Sequence, residues 1–259
     1  MRMMKKVLGT VTVLALSVSL LAGCGSTAVS PVSSTASTAA ESTTSSVVSE
    51  TTSAAADENA AAAAQLLNDL TGSYQELWPV ILADEYQQTW LDDCTALVGE
   101  ENAEAAFEKL SSMVTGDVYG EDAVEAYANG GGAYFCGFTN SLATLTFDGE
   151  TSTISGPDKD GNVLFSHTYH YIGMEPVHGL YEFESDDADS GEFTYFFLAP
   201  DTSAETYHIE FRYGSDAEAL SQYDAGEYAY WVASGISTDC DQTMIDNCIE
   251  LFCTENLAG

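Results

Sequence analysis

Basic residues are nearly absent from this chain. Its 259 residues include six Lys and Arg against 41 Asp and Glu, a formal charge of −35. Arg2, Lys5 and Lys6 lie in the first 23 residues, so beyond them only Lys109, Lys159 and Arg212 face all 41 acids, a charge of −38. That shortage excludes nucleic acid as a partner, because phosphates need Lys and Arg to neutralise them. It equally excludes charge-driven adhesion to anionic lipid. An acidic surface does concentrate cations, metal ions among them. Histidine is scarce, at four residues, and proline numbers five. There is no Cys-x-x-Cys, which argues against a zinc ribbon or a thioredoxin-like centre. No Gly-x-Ser-x-Gly, phosphate loop or His-Glu-x-x-His occurs, and no constellation points to an enzyme. The single long apolar run, Val7–Ala22, is too short for a spanning helix and follows a positive start.

That run is read as a leader, residues 1–23. Leu21-Ala22-Gly23-Cys24 places small residues before a cysteine, the pattern of a lipoprotein cleavage site, so Cys24 is expected to become the acylated N-terminus. The acyl chains would hold the protein on the outer face of a bacterial cell membrane, with no part of the fold entering the bilayer. Residues 24–64 follow as a tether. Among positions 25–64, 29 of 40 are Ser, Thr or Ala, with too little apolar surface to offset the entropy of ordering. The alanines of 54–64 are good helix formers at its end. Residues 65–259 are then one domain, long enough for a sizeable core.

Within that domain, residues 65–130 read as helical. Ser73-x-x-Glu76 has the form of a capping box. Trp78, Ile81, Leu82, Trp90, Cys94 and Leu97 recur at near-helical spacing, with a break expected at Pro79. Glu101–Met113 is a second amphipathic stretch, and Asn129-Gly-Gly-Gly132 ends this half. From 133 the pattern changes. Tyr134–Phe138, Leu142–Phe147, Val163–Ile172, Leu180–Phe183, Phe193–Leu198 and Tyr207–Tyr213 are aromatic or β-branched and separated by turn residues. Strands in such a series predict an antiparallel meander that curls or closes into a barrel. Ser215-Asp-Ala-Glu218 opens a short helix, Tyr228–Val232 reads as a last strand, and Thr238-Asp-Cys-Asp241 starts a C-terminal helix with Ile245, Cys248, Ile249 and Phe252 on one face.

Two stretches, Glu192-Phe-Thr-Tyr-Phe-Phe-Leu-Ala-Pro200 and Ala204–Leu220, together with Gly72-Ser-Tyr-Gln-Glu-Leu-Trp-Pro79 and Asp189-Ser190-Gly191, resemble the ZinT family of exported zinc-binding domains. The resemblance spans roughly residues 66–236. It implies an α+β domain: a calycin/lipocalin-like antiparallel β-barrel with added helices at both ends. It implies a lipid-anchored extracytoplasmic protein that binds zinc or another divalent metal, assists uptake or buffering, and partners a metal-uptake transporter. In that family one His ends the first of these strands and a His-x-His lies on the second. Here those positions hold Phe196, Thr206 and His208, so His208 is the implied metal ligand.

The residues themselves add little to that ligand set. Thr206, His208 and Glu210 would share one face of a strand, inside the barrel, and zinc wants three or four N, S or O ligands. His167 and His170 differ by three and would face opposite sides, and with His178 they are read as structural. Cys240 and Cys248 would lie about 12 Å apart along a helix, so a disulfide needs Cys94, Cys136 or a chain reversal. Asp158–Asn162 and Asp186–Gly191 lack EF-hand spacing and read as hairpin turns. A second functional class is a metal-free barrel, either an interaction module or one binding a small apolar molecule against Phe196, Phe197, Tyr207, Phe211 and Tyr213.

Overall fold

The computed structural model describes residues 58–258, all within one compact unit of the chain. The leader, Cys24 and the tether up to residue 57 lie outside the described residues. Eight strands form a closed barrel: β1 (Gly72–Glu76), β2 (Leu145–Asp148), β3 (Thr153–Pro157), β4 (Val163–Met174), β5 (Tyr181–Ser185), β6 (Tyr195–Leu198), β7 (Ile209–Gly214) and β8 (Ala233–Ser237). Each pairs antiparallel with the next, and β8 returns to β1 through Tyr74 opposite Ser237 and Glu76 opposite Gly235. Closure leaves no edge strand with unpaired amides. This is the α+β, calycin-like architecture expected from the sequence.

Side chains alternate across the barrel wall with period two. Tyr74, Leu145, Phe147, Ile154, Phe165, Tyr169, Phe183, Phe196, Phe211 and Tyr213 form the interior core, joined by Trp231. The rings pack on one another, with centroids 4.0 Å apart for Phe165 and Phe193, 5.3 Å for Phe196 and Tyr213, and 4.9 Å for Tyr213 and Trp231. A helix over residues 58–69, α1, adds Ala63, Leu66 and Leu67 to this core, so the alanines of 60–64 belong to the fold. The turn after β2 presses against it. A Cβ on Gly149 would lie 2.4 Å from the Asn68 Cα, which explains a glycine there.

A second core lies outside the barrel. Helices α2 (Leu77–Ile81), α3 (Gln87–Val98) and α4 (Ala103–Ser112), and the C-terminal helix (Gln242–Leu257), bury Leu77, Ile81, Trp90, Cys94, Leu110, Ile245, Cys248 and Ile249 together with Ile236 from the outer face of β8. A further helix, α5 (Glu121–Ala128), and two single-turn helices, α6 (Ser203–Thr206) and α7 (Ala217–Leu220), make the C-terminal helix α8. The Asp241 carboxylate caps α8 by accepting the Met244 amide at 2.9 Å, so the helix begins after the Thr238–Asp241 stretch rather than within it, and Cys240 lies before it. No helix among the described residues is long and apolar enough to cross a membrane.

Several expectations are corrected. Gly72–Glu76 is a strand, not the start of a helix: Ser73 bonds Thr146 across β1–β2 at 2.8 Å, and the Glu76 carboxylate accepts the Phe138 amide at 2.7 Å. Pairing on both sides outweighs local propensity here. Pro79 does not break α2, because it sits in the first turn, where its missing amide has no intrahelical partner. Tyr134–Phe138 forms only isolated bridges through Phe135. The last strand is Ala233–Ser237, just beyond Tyr228–Val232.

Candidate functional site

His208 owes its position to a reversal in the chain. The Thr202 and Glu205 capping box starts α6. The turn ends at Tyr207, whose φ of 64° turns the backbone back toward β7. Thr206 therefore closes a helical turn rather than sharing a strand face. Ile209, Phe211 and Tyr213 point into the barrel, so His208 and Glu210 project from its outer wall toward α8.

There the imidazole is held in a defined state. Its Nδ1 lies 2.7 Å from the Thr206 carbonyl, which can only accept, so Nδ1 carries the proton and donates it. Nε2 faces Glu210 Oε1 at 3.8 Å, and the two side chains are 18% and 36% exposed. The Cys248 sulfur of α8 sits 3.9 Å from Nδ1, on the committed side of the ring. Burial opposes charge on this imidazole. The Cys248 sulfur and the Glu210 carboxylate outweigh it and hold the pKa well above the ordinary histidine value. Two further acids sense the same ring. Burial raises the Asp201 pKa, Glu205 and Glu210 raise it further, and His208 lowers it. Burial likewise raises that of Glu255, with His208 lowering it and Glu210 and Asp201 adding to it. Several carboxylates thus crowd one imidazole, an arrangement that a cation would relieve.

The implied ligand positions do not converge. Phe196 is fully buried inside the barrel opposite Tyr213, whereas His208 is on the far side of the wall. Thr206 spends its hydroxyl on neighbouring carbonyls, that of His208 at 2.9 Å among them. His208 does not lie inside the barrel, because β7 reaches the wall with odd-numbered residues inward. His167 and His170 do face opposite sides; His167 Nδ1 pairs with Asp187 and His170 Nδ1 with Asp186, each at 2.7 Å. His178 packs against Tyr223 with ring centroids 3.7 Å apart and planes tilted by 41°, and its Nδ1 lies 3.5 Å from buried Glu175. Among the described residues, no three His, Cys, Asp or Glu side chains stand ready to hold one metal ion. His208 Nε2 and Glu210 form a preformed pair of donors, and a third ligand requires Asp201 or Glu255 to reorient. Nothing local in the sequence marks Asp201, Cys248 or Glu255; the docking of α8 beside the start of β7 gathers them.

No family model matches the chain, and no curated protein does. Among solved structures, it is similar to the Zn(II)-bound ZinT-like domain of Streptococcus pneumoniae AdcA, with a TM-score of 0.45 and 16% identity over 71% of this chain and 89% of that domain. It is also similar to Zn(II)-bound AdcA from the same organism, with a TM-score of 0.42 and 15% identity over 70% of this chain and 34% of that one. Both are similarities of fold.

Proposed function

We propose that the protein is a lipid-anchored, extracytoplasmic binding protein for a divalent metal such as zinc. It would take the ion on the outer wall of the barrel through His208 Nε2 and Glu210, with Asp201 or Glu255 completing the set. It would buffer the metal or pass it to an uptake transporter, with Cys24 as the lipid attachment point. No catalytic role is proposed. The observation that carries this reading is the fixed orientation of the His208 ring. A backbone carbonyl takes Nδ1–H, so Nε2 is the nitrogen open to a metal, which would displace its proton, and it is turned toward a carboxylate, as metal-binding histidines are commonly arranged. With two ligands preformed and the third to be recruited, affinity is expected in the micromolar range rather than the range of a closed structural site. Zinc titration of chelator-treated protein tests it. Saturable one-site binding is expected, weakened on the order of ten-fold or more by His208→Ala. Unchanged affinity in that variant would remove His208 from the site.

The barrel interior favours this over an apolar ligand. Phe196, Phe211 and Tyr213 are fully buried against other rings. Phe197 pairs with Arg212 on the outer side of the wall, and Tyr207 packs with the helical layer, so neither lines the interior. A cleft of about 540 Å³ lies outside the barrel, between α1 and α6, bordered by Asp69, Tyr181, Thr202 and Glu205.

A further inference from the structure

Five cysteines lie among the described residues, and two of them meet. The sulfurs of Cys94 in α3 and Cys253 in α8 are 3.9 Å apart, and both residues are fully buried in the helical core. The other three are engaged elsewhere: Cys248 beside His208, Cys136 against the Tyr134 carbonyl, and Cys240 half-exposed before α8. Within α8, Cys248 and Cys253 are five residues apart, about 140° around the axis, and so face different sides. A disulfide sulfur pair is about 2.05 Å apart, so closing this gap asks each sulfur to move by roughly 1 Å.

We propose that Cys94 and Cys253 form an intramolecular disulfide that fastens α8 to α3. The bond would close a loop across 159 positions, tying the C-terminal helix to the helical layer. That same helix carries Cys248 and Glu255 to His208, so the bond would also fix the wall of the proposed metal site. The chemistry is exchange with a disulfide oxidant. One cysteine thiolate attacks the oxidant's S–S bond and releases one thiol. The partner thiolate then attacks the mixed disulfide, forms Cys94–Cys253 and releases the second thiol. One S–S bond breaks and one forms, and the two cysteine protons end on the oxidant's thiols. The supply of such an oxidant in the cell rests on the extracytoplasmic reading above; closure by an added one does not. Burial raises both thiol pKa values, so the sealed pair is slow to react, and closure belongs to the moment when α8 docks.

The test is to unfold and reduce the full chain, refold it in a mixture of reduced and oxidised glutathione, alkylate free thiols and map the peptides without reductant. The expected result is a Cys94–Cys253 link with Cys136, Cys240 and Cys248 alkylated. The oxidised form should melt roughly 10 °C above the reduced form, a gap that Cys253→Ser abolishes. Alkylation of both Cys94 and Cys253 after refolding, or a link from either to another cysteine, would overturn the proposal. The peptide map needs no substitution and decides the matter even where the variant fails to fold.

Discussion

In a chain with so few cations, one is spent in the interior. Lys109 and Lys159 are exposed, whereas Arg212, on the outer face of β7, is fully buried. Its guanidinium donates to the carbonyls of Leu220, Gln222 and Tyr228, and lies 4.2 Å over the Tyr223 ring. It thereby holds the segment between β7 and β8, which delivers Tyr228 and Trp231 to the core. The fully buried Glu175 carboxylate lies close enough to feel its charge.

Arg212→Met would keep much of the apolar stem and remove all of these bonds. Three carbonyls left dry without donors would cost about 1–3 kcal/mol each if nothing relaxed. Opening of the segment to water returns part of that, so a net loss of about 3–5 kcal/mol is expected, as for other broken buried charges. At roughly 2–4 °C per kcal/mol in a domain of this size, the melting temperature should fall by about 10 °C or more. Arg212→Lys keeps the charge but cannot fork to three carbonyls, and should lose about half as much. Urea unfolding followed by the fluorescence of buried Trp78, Trp90 and Trp231 measures both variants. A loss below about 1 kcal/mol in Arg212→Met, or equal stability of the Lys variant and the parent, would refute the argument.

Other outcomes follow from the same structure. With metal chelated, stability should fall as pH rises. His208 has a folded pKa above its unfolded value, so its contribution is complete below the ordinary histidine value and fades as pH climbs through the raised one. Asp93, Glu182, Asp201 and Glu255 are also raised, chiefly by burial; their charging opposes the fold, and stability is lost as pH rises through their folded values. Melting should therefore come several degrees higher at about pH 5.5 than at about pH 8.5, and the reverse order would contradict these assignments. Phe196→Ala should cost about 3–5 kcal/mol and open a dry cavity that takes up a small apolar probe; probe uptake by the unsubstituted barrel of similar strength would show that its interior was never filled.

The centre of the barrel was legible in the sequence because β4, β5 and β7 alternate apolar and polar residues between clear turns, and β6 is a short aromatic run. The particular strands that close it were not. β3 (Thr153-Ile-Ser-Gly-Pro157) and β8 (Ala233-Ser-Gly-Ile-Ser237) are short and made mostly of small residues, and β1 resembles a helix start. Small residues suit β8 because its inner face is crowded; a Cβ on Gly235 would lie 3.1 Å from Ile209 Cγ1. At the candidate site, the period-two spacing of His208 and Glu210 was readable, but the face they occupy was not. That face is set by the register of β7 against β6, with Phe196 opposite Tyr213. The neighbours of His208 come from α8 and from the connection before α6, and no local pattern announces a contact made by packing distant elements.

The central claim is that the ion rests on His208 Nε2 and carboxylates, with Cys248 outside the set because it flanks the nitrogen already committed to Thr206. X-ray absorption at the zinc edge of the stoichiometrically loaded protein tests this directly. The account predicts nitrogen and oxygen scatterers alone, at about 2.0–2.2 Å, with the histidine signal lost in His208→Ala. A sulfur scatterer near about 2.3 Å, or a spectrum unchanged by that substitution, would contradict it.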